Sequence, residues 1–337
     1  MRGSRTRLAA GLLVLGLVAS ACGTSDSSDT TTITNPVSTT TSSAVGTSAA
    51  TTSTASTTIP GNPRYAGIVR LGIDADFVFP LEDFDGTRRQ PSLNPILAWP
   101  GSPEMARLFI PGAYRIDAGS GQLVPWLVEE IPTLANGGVT IDGDGAVSVT
   151  YRVREEAVWE DDTPIVADDL AFTHQLLTSD ELPITGRSSI REVHSLIEAG
   201  SIETSGKTFT ARLTAPDPSY ERLFEYVLPS HVIDIPTFAD DWNDILWLSG
   251  GPFTFVSFQP TSTPSSTPSV IRFDRNPNYW EVDPDTGNSL PYLDGIDVLA
   301  FTAGAIDDRD LVDAFLSGEV DAMVGYLVPP WRLDAFG

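Results

Sequence analysis

The stretch that decides the fold is VTYRVREEAVWEDDTPIVADDLAFTHQLL, which runs from Val149 to Leu177. Its first residues alternate between apolar and polar side chains, a pattern typical of a half-buried β-strand. After Pro164, which favours a turn, apolar side chains recur at helical spacing from Ala167 to Leu177. The sequence therefore predicts a strand, a turn and an amphipathic helix in close succession.

The same stretch contains many carboxylates, and we asked whether they form a metal or catalytic site. A zinc site usually has two or more histidines at ligand spacing, and the three histidines of this chain form no H-x-x-x-H pattern. Asp168 and Asp169 fall in the first helical turn, where carboxylates interact favourably with the helix dipole. His174 lies on the inward stripe and is interpreted as a satisfied core histidine. We therefore assign the acids to turn and helix construction, and we predict no catalytic residue, metal or cofactor.

The first residues of the chain resemble an export signal. Arg2, Arg5 and Arg7 precede an apolar run that is shorter than a membrane span, followed by small residues and Cys22. We predict a signal peptide over residues 1–21. Cys22, the only cysteine, resembles the lipidated cysteine of bacterial lipoproteins.

The next segment is strongly biased in composition. Residues 23–60 contain 23 Ser or Thr among 38 residues, too little apolar surface to offset the entropy of ordering. With Cys22, residues 22–63 are predicted to be a lipidated, disordered tether. The whole chain has a formal charge of −25, and such a negative surface disfavours binding to nucleic acid.

The remaining residues alternate between strand and helix patterns, which predicts an α/β protein. Strands are predicted at 68–73, 147–153, 208–213, 270–275 and 295–301, and helices at 167–177, 188–199, 220–226 and 307–316. Asp142 and Asp144 occupy turn positions between strands, which predicts a hairpin. Residues 259–269 are polar and rich in Pro, which predicts a long hairpin loop.

Several motifs, in order, resemble the extracellular solute-binding proteins of family 5, the oligopeptide- and dipeptide-binding components of ATP-binding-cassette importers. The opening stretch is similar to the family signature W-x-D-G-x-P-x-T-A-x-D-V, although Asp162 replaces its glycine and Val166 its capping threonine. Further segments resemble later family elements: YVLPSHVI (226–233), SGGPFTFVSFQP (249–260), FDRNPNYW (273–280), LPYLDGI (290–296) and AFLSGEVDAMV (314–324).

The resemblance implies a periplasmic-binding-protein-like, two-lobed α/β fold of type II. Residues 64–300 are expected to form most of the first lobe, and residues 301–337 only the start of the second, because family members are longer. The implied function is capture of a peptide, or a similar small solute, between the lobes, followed by delivery to an ABC permease. The protein is expected to be a monomer on the outer face of the cytoplasmic membrane and not an enzyme.

Two alternatives remain open at the level of sequence. The chain would also suit an orphan receptor that feeds a sensor, or a lipid-anchored hydrolase that uses a pair of carboxylates. In the family, ligands contact loops at strand ends that face the other lobe. The resemblance therefore implies ligand-binding roles for Asn94, Trp99, Trp247, Tyr326 and Trp331.

Overall fold

The computed structural model describes residues 66–74, 94, 96, 103–117, 119–180, 182, 188–242, 248–259, 268–301 and 309–324. Eleven strands lie within these residues: β1 Ile68–Asp74, β2 Tyr114–Ile116, β3 Leu123–Pro125, β4 Val139–Ile141, β5 Val147–Arg152, β6 Glu203–Ser205, β7 Thr208–Arg212, β8 Phe253–Gln259, β9 Ser269–Arg275, β10 Gly295–Phe301 and β11 Ala322–Val324. The described α-helices are α1 Pro103–Phe109, α2 Ala167–Thr178, α3 Ser188–His194, α4 Phe238–Asp241 and α5 Arg309–Ser317.

A five-stranded mixed sheet has the order β11-β1-β10-β9-β8. Strand β1, second in this order, is parallel to both neighbours, with Ile68 opposite Gly295 and Leu71 opposite Ala322. Strands β10, β9 and β8 follow as antiparallel neighbours. The three parallel strands therefore end at the same edge of the sheet, which we call the carboxyl edge.

A second sheet of four strands has the order β4-β5-β7-β6 and is antiparallel throughout. The turn between β4 and β5 is the predicted hairpin. The amide of Asp142 donates to the carbonyl of Ala146, and the carboxylate of Asp144 accepts from the amide of Ala146. Side chains on β5 alternate between buried and half-buried because one face of the strand packs on the core.

The two sheets have separate hydrophobic cores. One face of the five-stranded sheet packs with α1, α4 and the end of α2, where Phe109 stacks on Phe273 with ring centroids 6.0 Å apart. The opposite face packs on α5, and Gly72 lets this helix approach closely, since a Cβ there would lie 2.4 Å from Leu311 Cδ1. The four-stranded sheet packs on the start of α2 around Trp159, Tyr151 and Phe209.

Two predicted helices differ from the structure. The helix predicted over 188–199 ends at His194, because Ile197 forms a bridge with Leu213 beside the four-stranded sheet. The helix predicted over 220–226 is a 3-10 turn, Pro218–Arg222, followed by irregular chain. There Phe224 has a φ of 62°, and its carbonyl accepts from the amide of Ala113 rather than from a helical neighbour. Pairing with residues 111–113 replaces the helix.

The predicted lobe boundary between residues 300 and 301 falls within a strand of the five-stranded sheet. Strand β10 continues to Phe301, and β11 lies next to β1 in the same sheet. Arg70 reinforces this pairing, because its guanidinium contacts the Asp321 carboxylate at 3.0 Å and its amide donates to the same side chain at 2.8 Å. Residues 309–324 thus contain α5 and the edge strand of this sheet, and the division into lobes stays a prediction.

The signal peptide and tether predicted over residues 1–63 lie outside the described residues, as does Cys22. The predicted loop over 259–269 is described only at its ends, where Gln259 pairs with Val270 and so joins β8 to β9 as a hairpin. Across the described ranges, no helix has the length and apolar character needed to cross a membrane.

Candidate functional site

The acidic turn, residues 160–166 before α2, is held by the buried carboxylate of Asp169 at the start of the helix. Asp169 is 2% exposed. One of its oxygens accepts from the amide of Val166 at 2.9 Å and from Trp159 Nε1 at 3.4 Å, and the other accepts from the amide and hydroxyl of Ser230 at 2.9 and 2.6 Å. Because both oxygens are engaged by protein donors, Asp169 is structural. The prediction of a scaffolding role agrees with this geometry.

The neighbouring acids form the turn itself. Asp161 accepts from the amide of Thr163 at 3.0 Å and from His231 Nε2 at 3.0 Å. Burial alone would raise the pKa of Asp161, but these hydrogen bonds hold it below its usual value. Asp162 has a φ of 67°, the left-handed region that favours glycine. This is the position at which the family signature has its glycine.

Glu160 is the incompletely paired acid of the turn. One of its oxygens, Oε2, is buried without a hydrogen-bond partner, and burial raises the pKa of this carboxyl. Its backbone amide donates to the carbonyl of Ser249, and its carbonyl accepts from Asn278 Nδ2 at 2.8 Å. Within the part of the chain that the structure describes, no three His, Cys, Asp or Glu side chains are grouped to hold a metal ion.

Strand direction places this turn far from the carboxyl edge. Ser249 lies just before β8, and Asn278 lies just after β9. Because β9 is antiparallel to β10, the end of β9 lies beside the start of β10, where Asp274 is opposite Gly295. The acidic turn is therefore attached to the edge where β1 and β10 begin. In open α/β sheets, ligands bind beyond the carboxyl ends of the parallel strands. The candidate binding site is accordingly the other edge, where Asp74, Phe301 and Val324 end their strands.

Asn94 is the predicted ligand residue that the structure describes. It is fully buried, its amide nitrogen donates to the carbonyl of Trp242 at 2.8 Å, and its amide oxygen accepts from the amide of Ile96 at 2.8 Å. These bonds favour a structural role for Asn94 in holding its loop against α4. Its contact with a ligand stays a prediction.

The other four predicted ligand residues, Trp99, Trp247, Tyr326 and Trp331, lie outside the described residues. Their positions in sequence nevertheless divide them into two groups. In sequence, Trp99 follows β1, and Tyr326 and Trp331 follow β11, two strands that end at the carboxyl edge. Trp247 precedes Ser249, whose hydroxyl accepts from the amide of Gly251 near the opposite edge.

One unusual pair of side chains was missed by the sequence reasoning. His194 is 1% exposed, neither of its ring nitrogens has a hydrogen-bond partner, and its ring centroid lies 5.7 Å from that of His174. His174 is half-buried, and its Nδ1 is also buried without a partner. The prediction that His174 is satisfied is therefore wrong for this nitrogen. Helical spacing places a residue on a face but gives no information about a partner from another helix.

Comparison with known families gives one strong match. The family described as "Bacterial extracellular solute-binding proteins, family 5 Middle" matches residues 122–334. The matched range extends from just before β3 to beyond β11, the last described strand. It includes the four-stranded sheet, every strand of the five-stranded sheet except β1, and most of the motifs on which the resemblance was based.

A curated relative adds an alignment to a named protein. The chain is 29% identical over 197 residues to the probable monoacyl phosphatidylinositol tetramannoside-binding protein LpqW of Mycobacterium tuberculosis. The alignment includes 56% of this chain and 29% of the relative. The chain thus spans well under half the length of this relative.

Solved structures confirm the predicted fold class. The periplasmic EDTA-binding protein EppA superposes with a TM-score of 0.57 at 23% identity, over 78% of this chain and 44% of that one. The oligopeptide-binding protein AppA of Bacillus subtilis, in complex with a nonapeptide, superposes with a TM-score of 0.54 at 16% identity, over 77% of this chain and 44% of that one. These are two-lobed α/β periplasmic binding proteins. At these identities the likeness concerns the fold alone.

Proposed function

Because this chain belongs to the bacterial extracellular solute-binding proteins of family 5, we propose that it captures a peptide, or a small solute of similar size, outside the cytoplasmic membrane for import by an ABC permease. Proteins of this family bind solutes outside the cytoplasm. In this mechanism no covalent bond changes: closure around the ligand and release at the permease perform the work.

The observation that carries the proposal is the carboxyl edge formed by β11, β1 and β10. Three parallel strands end side by side there, and each continues into a connecting segment. Such an edge is the usual place for a ligand in an open α/β sheet. In the acidic turn, by contrast, the carboxylates of Asp161 and Asp169 are committed to backbone amides and to His231, which favours a binding protein over a carboxylate-dependent hydrolase.

The ligand class is tested by calorimetric titration of the full chain. A panel from dipeptides to nonapeptides is compared with a mannosylated inositol headgroup, chosen because a relative is named for such a lipid. We expect saturable binding of at least one peptide and heat changes at the level of dilution for the headgroup. Saturable binding of the headgroup alone would reject the peptide proposal, and turnover of any panel member would reject a pure binding function.

The proposed site is tested by substitution of its aromatic residues. We propose that Trp99, Tyr326 and Trp331 contact the ligand, since in sequence they follow β1 and β11, which end at the carboxyl edge; the predicted roles of Trp247 and Asn94 are tested beside them. Aromatic side chains supply flat apolar walls of the kind that line ligand pockets. Alanine at a contacting tryptophan should weaken binding about tenfold, or about 1.4 kcal/mol, whereas Trp331→Phe retains a ring and serves as the matched control.

Lipid anchoring through Cys22 and the permease partner are part of the proposal. Cys22→Ser should move the protein from the membrane fraction to the soluble fraction of a cell that exports it. Uptake of a labelled cognate peptide should require both this protein and its permease. Binding without any dependence of uptake on this protein would instead favour a receptor that feeds a sensor.

A further inference from the structure

The contact between α2 and α3 is closed by two histidines. His174 on α2 and His194 at the end of α3 lie with ring centroids 5.7 Å apart and planes inclined by 35°. The ring of His194 also meets Phe224 edge-on, with centroids 5.2 Å apart. The imidazole of His194 is thus buried against a second imidazole and a phenyl ring.

This enclosure provides no polar partner for a charged imidazole. Nδ1 and Nε2 of His194 and Nδ1 of His174 are all buried without a hydrogen bond. A neutral imidazole tolerates such a site at moderate cost, but an imidazolium has two N–H groups and a full charge to satisfy. The contact is therefore compatible with neutral histidines and incompatible with protonated ones.

The charged groups on the surrounding elements do not compensate. On α3, the guanidinium of Arg191 is already paired: its Nε donates to the carbonyl of Leu177 at 3.2 Å, and its terminal nitrogen donates to the carbonyl of Ser179. Glu192, also on α3, is exposed. On α2, His174 would add a like charge. The 3-10 turn that packs against α3 contains Tyr220, Glu221 and Arg222. Glu221 and Arg222 are exposed, and the carbonyl of Tyr220 accepts from the hydroxyl of Tyr151.

We propose that the α2–α3 contact is an acid-sensitive latch, which is closed while His174 and His194 are neutral and opens when they take up protons. Opening would release α3 from α2 and remove Arg191 from the carbonyls of Leu177 and Ser179 at the end of α2. These carbonyls belong to the last helical turn, which lacks intrahelical donors. Release of α3 therefore also loosens the end of α2.

The direction of the pH dependence follows from burial. Burial, and after it the neighbouring His174, lower the pKa of His194 to about 3, and burial also lowers the pKa of His174. An exposed histidine titrates near pH 6.5. Between about pH 3 and pH 6.5, therefore, His194 binds a proton in the open form and not in the closed form. From His194 alone, opening should become about thirtyfold more favourable between pH 7.5 and pH 5.0.

The test is hydrogen exchange of the full chain, followed by mass spectrometry on peptides that span residues 188–197. After correction for the intrinsic rate at each pH, exchange of the wild-type peptide should rise about thirtyfold at pH 5.0. The variant His194→Phe keeps an aromatic ring beside Phe224 and should remove most of this increase. His231→Gln replaces the exposed histidine that pairs with Asp161, and it should leave the increase unchanged.

Two results would overturn the proposal. One is equal corrected exchange of the wild-type peptide at both pH values, and the other is an acid-induced increase of the same size in His194→Phe. If His194→Phe does not fold, NMR titration of the histidine rings in the wild-type protein decides the question. If the imidazole of His194 titrates near pH 6.5 in the folded protein while α3 stays closed, the latch is contradicted. If this imidazole stays neutral down to pH 5.0 in the closed form while the amides of α3 exchange, the latch is supported.

Discussion

Two buried polar side chains beside α2 show opposite ways of handling a polar group in a core. Asp169 lies in the first turn of the helix, and four donors from three residues point at its two oxygens. His194, on the neighbouring helix α3, is as deeply buried, and neither of its nitrogens has a partner. The carboxylate therefore holds the turn in one conformation, whereas the imidazole leaves its contact dependent on protonation.

These two side chains mark where this part of the molecule is rigid and where it is free to respond. A satisfied buried network specifies a single arrangement, and an unsatisfied buried group marks the place that yields first. The start of α2 joins Trp159, Val166 and Ser230 through one side chain. The other end of the helix is held by Arg191 and the histidine contact. The following substitutions test this contrast.

Removal of the carboxylate should have the largest effect. In Asp169→Ala the amides of Val166 and Ser230 lose their acceptor in a buried site, which should lower the free energy of unfolding by about 3 kcal/mol or more. Urea denaturation at pH 7.5 measures this change. The matched control is Asp168→Ala on the same helical turn, which is exposed and should cost about 0.5 kcal/mol. Equal effects at the two positions would show that the network around Asp169 is not special.

His194 should have the second largest effect on stability, and only at acidic pH. The pKa of His194 is about 3 in the folded protein and about 6.5 when exposed, so the unfolded chain binds more protons between these values. Its contribution to stability is complete above pH 6.5 and declines as the pH falls toward 3. Between pH 7.5 and 5.0 the loss should be about 2 kcal/mol. His194→Phe should lack this loss in urea denaturation at the two pH values, and a wild-type curve that is flat over the same range would contradict the assignment.

Adding a hydroxyl at the N-cap of α2 should change the stability by less, and in the stabilising direction. Val166 occupies the N-cap position, with extended backbone at φ −127° and no side-chain oxygen to accept from the first turn. The reverse half of a capping box is present, because Asp169 accepts from the amide of Val166. Val166→Thr should raise the free energy of unfolding by about 1 kcal/mol. Val166→Ala removes methyl groups without adding a hydroxyl and so controls for the methyl that threonine lacks, and stabilisation by both changes would show that the hydroxyl is irrelevant.

The smallest effect is expected in the turn itself. Asp162 adopts a φ of 67°, which costs less for aspartate than for most residues but least for glycine. Asp162→Gly should raise the unfolding free energy by about 0.5 kcal/mol, because relief of strain slightly exceeds the added entropy of the unfolded chain. Asp162→Ala keeps the strain and removes the polar side chain, so it should destabilise. Thermal unfolding of the pair gives the comparison, and the prediction fails if glycine is the worse of the two.

Sequence patterns predicted the strands better than the segments between them. The runs at β1, β5, β7, β9 and β10 alternate or are continuously apolar, and the structure has strands there to within about one residue. Residues 220–226 have helical spacing, but the amide of Val227 donates to the carbonyl of Pro111, and Phe224 pairs with Ala113. A partner more than a hundred residues away decided that conformation, and local pattern contains no information about it.

The same limit applies to the candidate site. The carboxyl edge follows from strand order and register, which the structure shows and which the local sequence pattern does not contain. Asn94 was expected to face a ligand, yet its amide is bonded to Ile96 and Trp242 in the core. A polar residue after a strand has the same appearance in sequence whether it binds a ligand or closes a loop. The histidine pair was missed for a related reason, since His174 and His194 come from different helices.

Lys207 gives the acidic turn a chemical reporter. It is the only lysine in the chain, and its Nζ donates to the carbonyls of Ala157 and Ile165 at 3.3 and 2.7 Å, on either side of that turn. An acylating reagent needs this nitrogen deprotonated and detached from both oxygens. The rate at which the single ε-amine is labelled therefore measures how often the turn comes apart. Amine-coupled attachment of the native protein to a sensor surface would, for the same reason, be slow at this residue.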